Sequence, residues 1–225
     1  MAEALVTFDR VERSFPLGSE KIVALTGATC VVNAGDRIAL MGPSGSGKST
    51  LLALMAQLDQ PTAGKIAWPG LAEATRLRPR YIGLAFQSAS LIPPLSVIEN
   101  VELPLLILGE MQELRKRALA ALEIVGLAGL ADRLPEEISG GQAQRVGIAR
   151  ALAPNPRLIL ADEPTGQLDQ ATGKSLVKAL LAHAKITDAA LVIATHDHAV
   201  AGQMTSIWHI EHGKLTTKQR VSVVP

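Results

Sequence analysis

Apolar positions follow two different patterns in the strand-like parts of the chain. Residues 5–11 alternate apolar and polar side chains, which predicts a strand of an antiparallel sheet. Residues 37–41 read instead as a buried strand. A further strand is expected at residues 157–161, where residues 158–161 form a continuous apolar run typical of a parallel strand covered on both faces. The pattern therefore predicts an antiparallel sheet near the N-terminus and buried strands farther along.

Shorter signals predict the remaining strands and two helices outside the middle of the chain. Thr26 and Gly27 separate two expected short strands, at residues 22–25 and 29–32. Further strands are expected at residues 65–68, 81–86, 190–195, 206–210 and 214–217. Helices are expected at residues 48–58 and 172–185.

The segment from residue 96 to 153 has a helical pattern instead. Residues 111–125 place apolar side chains on one helical face. Breaks in the helices are expected at Pro104, Gly109, Gly126, Gly129 and Pro135. The predicted fold class is α/β, in one domain over residues 1–225. Residues 1–87 and 156–225 form the expected core with its N-terminal antiparallel β subdomain, and residues 88–155 form an inserted α-helical subdomain.

Composition and charge exclude several classes of protein. The 225 residues carry a formal net charge of +1, so no nucleic-acid footprint is visible. No apolar run approaches the roughly 20 residues that span a bilayer, and no signal peptide is indicated at the N-terminus. The single cysteine, Cys30, excludes an internal disulfide framework and is expected in the core. The expected compartment is the cytoplasm.

A glycine-rich loop between a predicted strand and a predicted helix indicates a phosphate site. Glycines let successive backbone N–H groups point at phosphate oxygens, and the start of the helix adds the positive end of its dipole. Lys48 would reach the β- and γ-phosphates, and the Ser49 hydroxyl would bind Mg²⁺. The loop comprises Gly42, Pro43, Ser44, Gly45, Ser46, Gly47, Lys48, Ser49 and Thr50.

Two acids follow the apolar run at residues 158–161. Ligands of parallel sheets lie at the carboxyl ends of the strands, so Asp162 could hold Mg²⁺, mostly through water. Glu163 would polarise the water that attacks the γ-phosphate. The alternative is a pair of solvated acids, which the glycine-rich loop upstream makes the weaker interpretation.

A second candidate anion site opens a helix inside the helical segment. Ser139, Gly140, Gly141 and Gln142 combine a hydroxyl with bare N–H groups at a helix N-terminus. An N-cap alone needs only Ser139, and two adjacent glycines are costly unless the backbone must approach something closely. One chain therefore has two predicted phosphate-binding helix starts.

In their order along the chain, these motifs resemble those of an ABC-transporter ATPase subunit. The resemblance rests on the glycine-rich loop, Gln87, residues 139–142, the acid pair and His196, and covers essentially the whole chain. It implies a P-loop NTPase (RecA-like) core that binds ATP and Mg²⁺ and hydrolyses ATP. It also implies a head-to-tail dimer with a second copy, in which Ser139 and Gly141 cap the γ-phosphate held by the other copy's Lys48.

The resemblance assigns further roles residue by residue. Gln87 resembles the glutamine that senses Mg²⁺ and the γ-phosphate and couples them to the membrane partner, and His196 resembles the histidine that contacts the γ-phosphate. Phe15 lies where the family places an aromatic ring against adenine, although an ordinary core phenylalanine is a fair alternative. Residues 166–169 resemble the loop that crosses the dimer interface.

Within the family, the chain looks most like the branch of lipoprotein-release, macrolide-export and cell-division ATPases. The implied partner is an integral membrane permease, with the subunit on the cytoplasmic face of the inner membrane, and the implied task is export or extraction of a substrate. Mechanical signalling through a membrane protein and solute import remain open. An ABC-type ATPase acting on DNA or the ribosome is disfavoured, because the chain has one cassette, no heptad insert and a near-neutral charge.

Overall fold

The computed structural model describes residues 2–18, 20–71 and 78–219. Most of the basic stretch at residues 71–80, which the sequence predicts to be irregular, lies outside the described residues. Within the described parts of the chain, no helix is both long enough and apolar enough to cross a bilayer.

Three strands near the N-terminus form the predicted antiparallel sheet. Its order is β2-β1-β4, with β1 at Ala4–Leu17, β2 at Glu20–Asn33 and β4 at Ala63–Ala67. The prediction of two short strands at residues 22–25 and 29–32 is wrong, because Thr26 and Gly27 do not interrupt β2. The register slips there by one residue against β1, and Gly27 takes a φ of 60°, so the extra residue is absorbed as a bulge.

A six-stranded sheet forms the centre of the protein, in the order β5-β6-β7-β3-β8-β9. The strands are parallel except for β9, which pairs antiparallel with β8. Their bounds are Arg37–Met41 for β3, Ile82–Ala85 for β5, Leu158–Asp162 for β6, Ala190–Thr195 for β7, Ser206–Glu211 for β8 and Lys214–Gln219 for β9. β6 and β7 are apolar on both faces because both faces are covered.

The two faces of this sheet pack into separate cores. Leu40 and Leu160 point towards the antiparallel sheet and α1, at Lys48–Met55. Met41 and Ala161 point towards the other helices. These are α2 at Val97–Ile107, α3 at Leu114–Ile124, α4 at Gly140–Leu152, α5 at Gln170–Thr187 and α6 at His198–Ala201. Cys30 is buried in the first core, as predicted, and burial raises the pKa of its thiol to about 12.

Helices α2, α3 and α4 lie between β5 and β6 in the chain. The prediction of a helix break at Pro104 is wrong, since α2 runs through it. Pro104 is buried with Val101 and Leu105, so packing against α3 and α4 outweighs the lost backbone hydrogen bond. Ile107, at the end of α2, is 75% exposed.

The last turns of α4 contact the segment that follows β5. The Arg150 guanidinium donates hydrogen bonds to the carbonyls of Ala89 at 2.7 Å and Ser90 at 3.1 Å. Gly147 faces Ala89 closely enough that an added Cβ would lie 3.4 Å from its backbone. One helix thereby reaches from Ser139, at its N-cap, to the residues just after Gln87.

Parallel strands bring three motifs to one edge of the sheet. Met41 pairs with Thr195 and Asp162 pairs with Ala194, so β3, β6 and β7 end side by side. The glycine-rich loop, the acid pair and His196 follow these ends directly. This edge positions the candidate site.

Candidate functional site

A cleft of about 460 Å³ opens at the carboxyl edge of the central sheet. Ten of the predicted site residues line it: Ser44, Gly45, Gly47, Lys48, Ser49, Thr50, Gln87, Asp162, Glu163 and His196. Gly166 and three residues of β2, Ile22, Val23 and Ala24, complete the lining. The cleft therefore combines an anion cradle, two acids and an apolar wall.

The glycine-rich loop wraps tightly against neighbouring backbone. Gly47 has a φ of 111°, and an added Cβ would lie 2.4 Å from the carbonyl oxygen of Ala24. Only glycine fits there. Helix α1 begins at the next residue with no side-chain cap, so its first N–H groups face the cleft uncapped, as an anion site requires.

Lys48 is 8% exposed and makes its hydrogen bonds inside the loop. Its Nζ donates to the carbonyls of Gly42 at 2.8 Å and Pro43 at 3.0 Å. It also lies 4.0 Å from the Glu163 carboxylate. These oxygens compensate the buried positive charge of Lys48, which a phosphate would pair with when nucleotide is bound. Gly42 and Pro43 thus support the site from behind the cleft lining, as does the buried Ser46.

Asp162 offers a carboxylate beside the hydroxyl of Ser49. Burial raises the pKa of Asp162, the side-chain hydrogen bond with Ser49 lowers it, the neighbouring Glu163 raises it and Lys48 lowers it. The net shift is upward, which a bound cation would reverse. Ser49, Asp162 and Gln87 offer oxygen ligands to one space, and this donor set fits Mg²⁺.

Glu163 is held between two nitrogens. Its Oε2 lies 3.0 Å from Nδ1 of His196 and its Oε1 lies 4.0 Å from Nζ of Lys48. The Glu163 side chain is 12% exposed, whereas that of His196 is 76% exposed. Glu163 also has a φ of 47°, a left-handed conformation that is unusual for a residue with a side chain.

The second glycine-rich helix start lies outside this cleft. Ser139 and Gln142 form a capping box, in which the hydroxyl accepts from Gln142 N at 3.2 Å and the amide oxygen accepts from Ser139 N at 2.8 Å. Gly141 packs against a loop of its own chain, since an added Cβ would lie 2.8 Å from Leu168 Cδ2 and 3.0 Å from the Gln167 carbonyl. One chain therefore does not bring Ser139, Gly140, Gly141 and Gln142 into the cleft that holds Lys48.

Phe15 is not among the residues that line the cleft. Its ring is 36% exposed, and the Arg13 guanidinium lies 4.3 Å from the ring centroid. Phe15 pairs across the strands with Ile22, and Ile22 and Val23 form the apolar wall instead. Sequence reasoning missed these two residues, because the sequence does not show whether apolar side chains of an expected strand are exposed.

Sequence comparison finds relatives over nearly the whole chain. The sequence profile of the family described as "ABC transporter" matches residues 25–166. The lipoprotein-releasing system ATP-binding protein LolD of Legionella pneumophila (strain Paris) is 39% identical, over 97% of this chain and 100% of that protein. The uncharacterized ABC transporter ATP-binding protein YbbA of Escherichia coli (strain K12) is 40% identical, over 95% of this chain and 97% of its own.

The fold also matches solved structures. A dimeric structure of a post-hydrolysis state of the ATP-binding cassette MJ0796, bound to ADP and Pi, superposes with a TM-score of 0.89 at 36% identity, covering 97% of this chain and 100% of that chain. MJ0796 is a protein of Methanocaldococcus jannaschii. The α/β architecture with a P-loop and two subdomains is therefore shared with a nucleotide-binding cassette.

Proposed function

This chain belongs to the ABC transporter family, and from that membership and the cleft geometry we propose that it forms one half of an ATP-driven clamp on a membrane permease. It is an ATP-binding subunit of the family and an ATP hydrolase. We further propose that it binds Mg²⁺, forms a head-to-tail dimer and works with a permease, with the residue roles given below.

The proposal gives each group in the cleft a chemical role. The uncapped start of α1 and Lys48 hold the β- and γ-phosphates, with Lys48 exchanging its loop carbonyls for phosphate oxygens. Ser49, Gln87 and Asp162 would hold Mg²⁺, and a bound Mg²⁺ would supply positive charge beside the phosphates. Glu163 accepts a proton from the attacking water, whose oxygen forms the new bond to the γ-phosphorus as the bond to the leaving ADP oxygen breaks. His196 positions the Glu163 carboxylate and contacts the γ-phosphate.

The placement of Glu163 carries this proposal. A carboxylate at the end of β6, 3.0 Å from His196 and within one cleft of Lys48, is positioned to act on a water beside the γ-phosphate. Solvated acids at a strand end would not be 12% exposed and paired on both sides. This observation favours the catalytic interpretation of the acid pair.

Replacing Glu163 tests the assignment. Glu163→Gln keeps the shape and removes the base, so we expect unchanged ATP affinity, turnover lowered about 100-fold or more, and an accumulating ATP-bound dimer. ATPase rates, nucleotide titration and size-exclusion chromatography measure the three effects. The same change at the exposed Glu123 of α3 is the matched control. Wild-type turnover in Glu163→Gln would exclude Glu163 as the base.

The second half of each site is proposed to come from a second copy. Ser139, Gly140, Gly141 and Gln142 are an anion-binding helix start that lies outside its own cleft. In a head-to-tail dimer each set faces the γ-phosphate held by the other copy's Lys48. The structure of MJ0796, with which this fold superposes closely, is dimeric, and this supports a dimer of this chain.

A groove between the core and the helical block is the proposed docking surface for the permease. It has a volume of about 240 Å³, and one of its lining residues, Phe86, directly precedes Gln87 in the chain. Ile107 and Phe86, which line it, are 75% and 48% exposed, more than a sealed surface would leave. In this proposal a cytoplasmic segment of an integral membrane permease occupies the groove, and the subunit then lies at the cytoplasmic face of the inner membrane.

The similarity to a lipoprotein-releasing ATPase supports export or extraction of a substrate from the membrane. Co-purification of the membrane subunit decides this point. A permease with four helices and a large extracytoplasmic domain supports extraction, and a partner that works with a periplasmic binding protein would overturn it.

A further inference from the structure

Helix α4 contains a buried amide five residues after Ser139. Gln144 is 2% exposed, although glutamine is mostly found at protein surfaces. A buried amide is costly unless its donors and acceptor are paired. Its partners therefore indicate why a glutamine occupies this position.

Both ends of the Gln144 side chain bond to the loop that follows β6. Its Nε2 donates to the carbonyl oxygen of Glu163 at 2.8 Å, and its Oε1 accepts from the backbone N–H of Gln167 at 3.3 Å. One partner is an acceptor and the other a donor, so only one orientation of the amide satisfies both. An apolar residue of the same size would fill the space and leave both backbone groups without this partner.

The hydrogen bond falls on a strained residue. Glu163 has a φ of 47°, and such conformations persist where the surroundings hold them from several directions. Two bonds come from the sheet and the loop: Glu163 N donates to Ala194 O at 2.9 Å, and Gly166 N donates to Glu163 O at 3.1 Å. Gln144 supplies a third, and it alone of these three partners lies on the helical block.

We propose that Gln144 is a positioning residue that makes the aim of the Glu163 carboxylate depend on the position of α4. The inference rests on the proposed function, in which Glu163 is the base. Ser139 is the N-cap of α4 and, in the proposed dimer, faces the nucleotide held by the second copy. Gln144, farther along the same helix, bonds to the loop after β6 of its own chain. Contact of Ser139 with the ATP of the second copy is thereby linked to the orientation of Glu163 beside the ATP of its own chain.

The test replaces Gln144 by methionine, which keeps length and burial but removes both hydrogen bonds. We expect kcat to fall about tenfold or more, while KM and ATP affinity stay within about twofold. An ATP-bound dimer should accumulate, as in Glu163→Gln, because binding and closure survive and only the chemical step slows. Gln112→Met, at an exposed position of the same helical block, is the control and should behave as wild type.

A second variant tests the hydrogen bonds through the pH dependence of kcat, which a change in packing alone would not alter. In Gln144→Glu a protonated carboxyl can still donate to the Glu163 carbonyl and accept from Gln167, whereas a carboxylate can only accept. Burial raises the pKa of such a group, so its kcat relative to wild type should rise as the pH is lowered from about 8 to about 6.

Two results would overturn the inference. One is a kcat of Gln144→Met within about twofold of wild type, and the other is ATP affinity that falls in parallel with turnover, which marks a packing defect. Measuring Glu163→Gln in parallel distinguishes failure of the Gln144 inference from failure of the proposed function. If Glu163→Gln is inactive and Gln144→Met is not, only the inference fails, whereas an active Glu163→Gln removes the proposed base itself.

Discussion

Asp162 is partly buried beside a second acid, and burial raises the pKa of its carboxyl above the ordinary value of 3.8. Between the ordinary and the raised value the folded protein binds more protons than the unfolded chain. Stability is therefore lost as the pH rises through this window. At neutral pH the ionised Asp162 destabilises the nucleotide-free protein and is available to a cation.

Asp162→Asn should raise the melting temperature of the nucleotide-free protein by a few degrees at about pH 7.5, with the gain fading towards about pH 4. Thermal unfolding followed across the pH range measures it. Adding Mg²⁺ and ATP should reverse the order, because only the wild type gains the metal ligand. An equal gain at every pH would show that the effect is not the ionisation of Asp162.

At the scale of elements, the two glycines at the start of α4 set how closely this helix approaches the loop of residues 163–169. An added Cβ on Gly141 would lie 2.8 Å from Leu168 Cδ2 and 3.0 Å from the Gln167 carbonyl. Gly141→Ala should therefore displace the Leu168 side chain and shift the loop by a few tenths of an ångström, and lower turnover about severalfold at nearly unchanged ATP affinity of the monomer. Gly129→Ala, whose added Cβ meets nothing within 4 Å, is the control. ATPase assays and nucleotide titration measure both, and normal turnover in Gly141→Ala would contradict the close packing.

Elements whose pattern is local were predictable, and those that depend on distant contacts were not. Strand β7 is covered on both faces, so its residues are apolar without interruption. This run is visible in the sequence, and it predicts where the strand begins and ends. The bulge at Gly27 and the helical Pro104 escaped prediction, since the neighbouring strand and helices decide both. In the site, motif residues were found by type and spacing, whereas Gln144 is recognisable only from its burial and partners.

For the whole molecule, an active site split between two copies makes a prediction about mixtures. Lys48→Met disables the site built on its own P-loop, and Ser139→Arg disables the site of its partner. A mixed head-to-tail dimer keeps one site with both parts intact. Two inactive variants mixed in equal amounts should therefore recover at most about a quarter of wild-type turnover, because about half the dimers are mixed and each has one working site. The link through Gln144 lowers this figure, since the intact cleft belongs to the Ser139→Arg chain, whose own α4 cannot seat on the other nucleotide. Activity measured against mixing ratio tests this, and a mixture as inactive as its components would refute the shared site.

Arg150 holds the segment after Gln87 at the far end of the same helix that begins at Ser139. Thirteen helical residues span about 20 Å, so one stiff rod connects the proposed permease groove with the proposed partner nucleotide. Thermodynamic linkage then runs in both directions with equal strength. A ligand that occupies the groove and shifts α4 must change ATP affinity by the same factor by which ATP changes the affinity of that ligand. Molecules that bind only in the groove could therefore regulate the ATPase allosterically, without entering the nucleotide cleft.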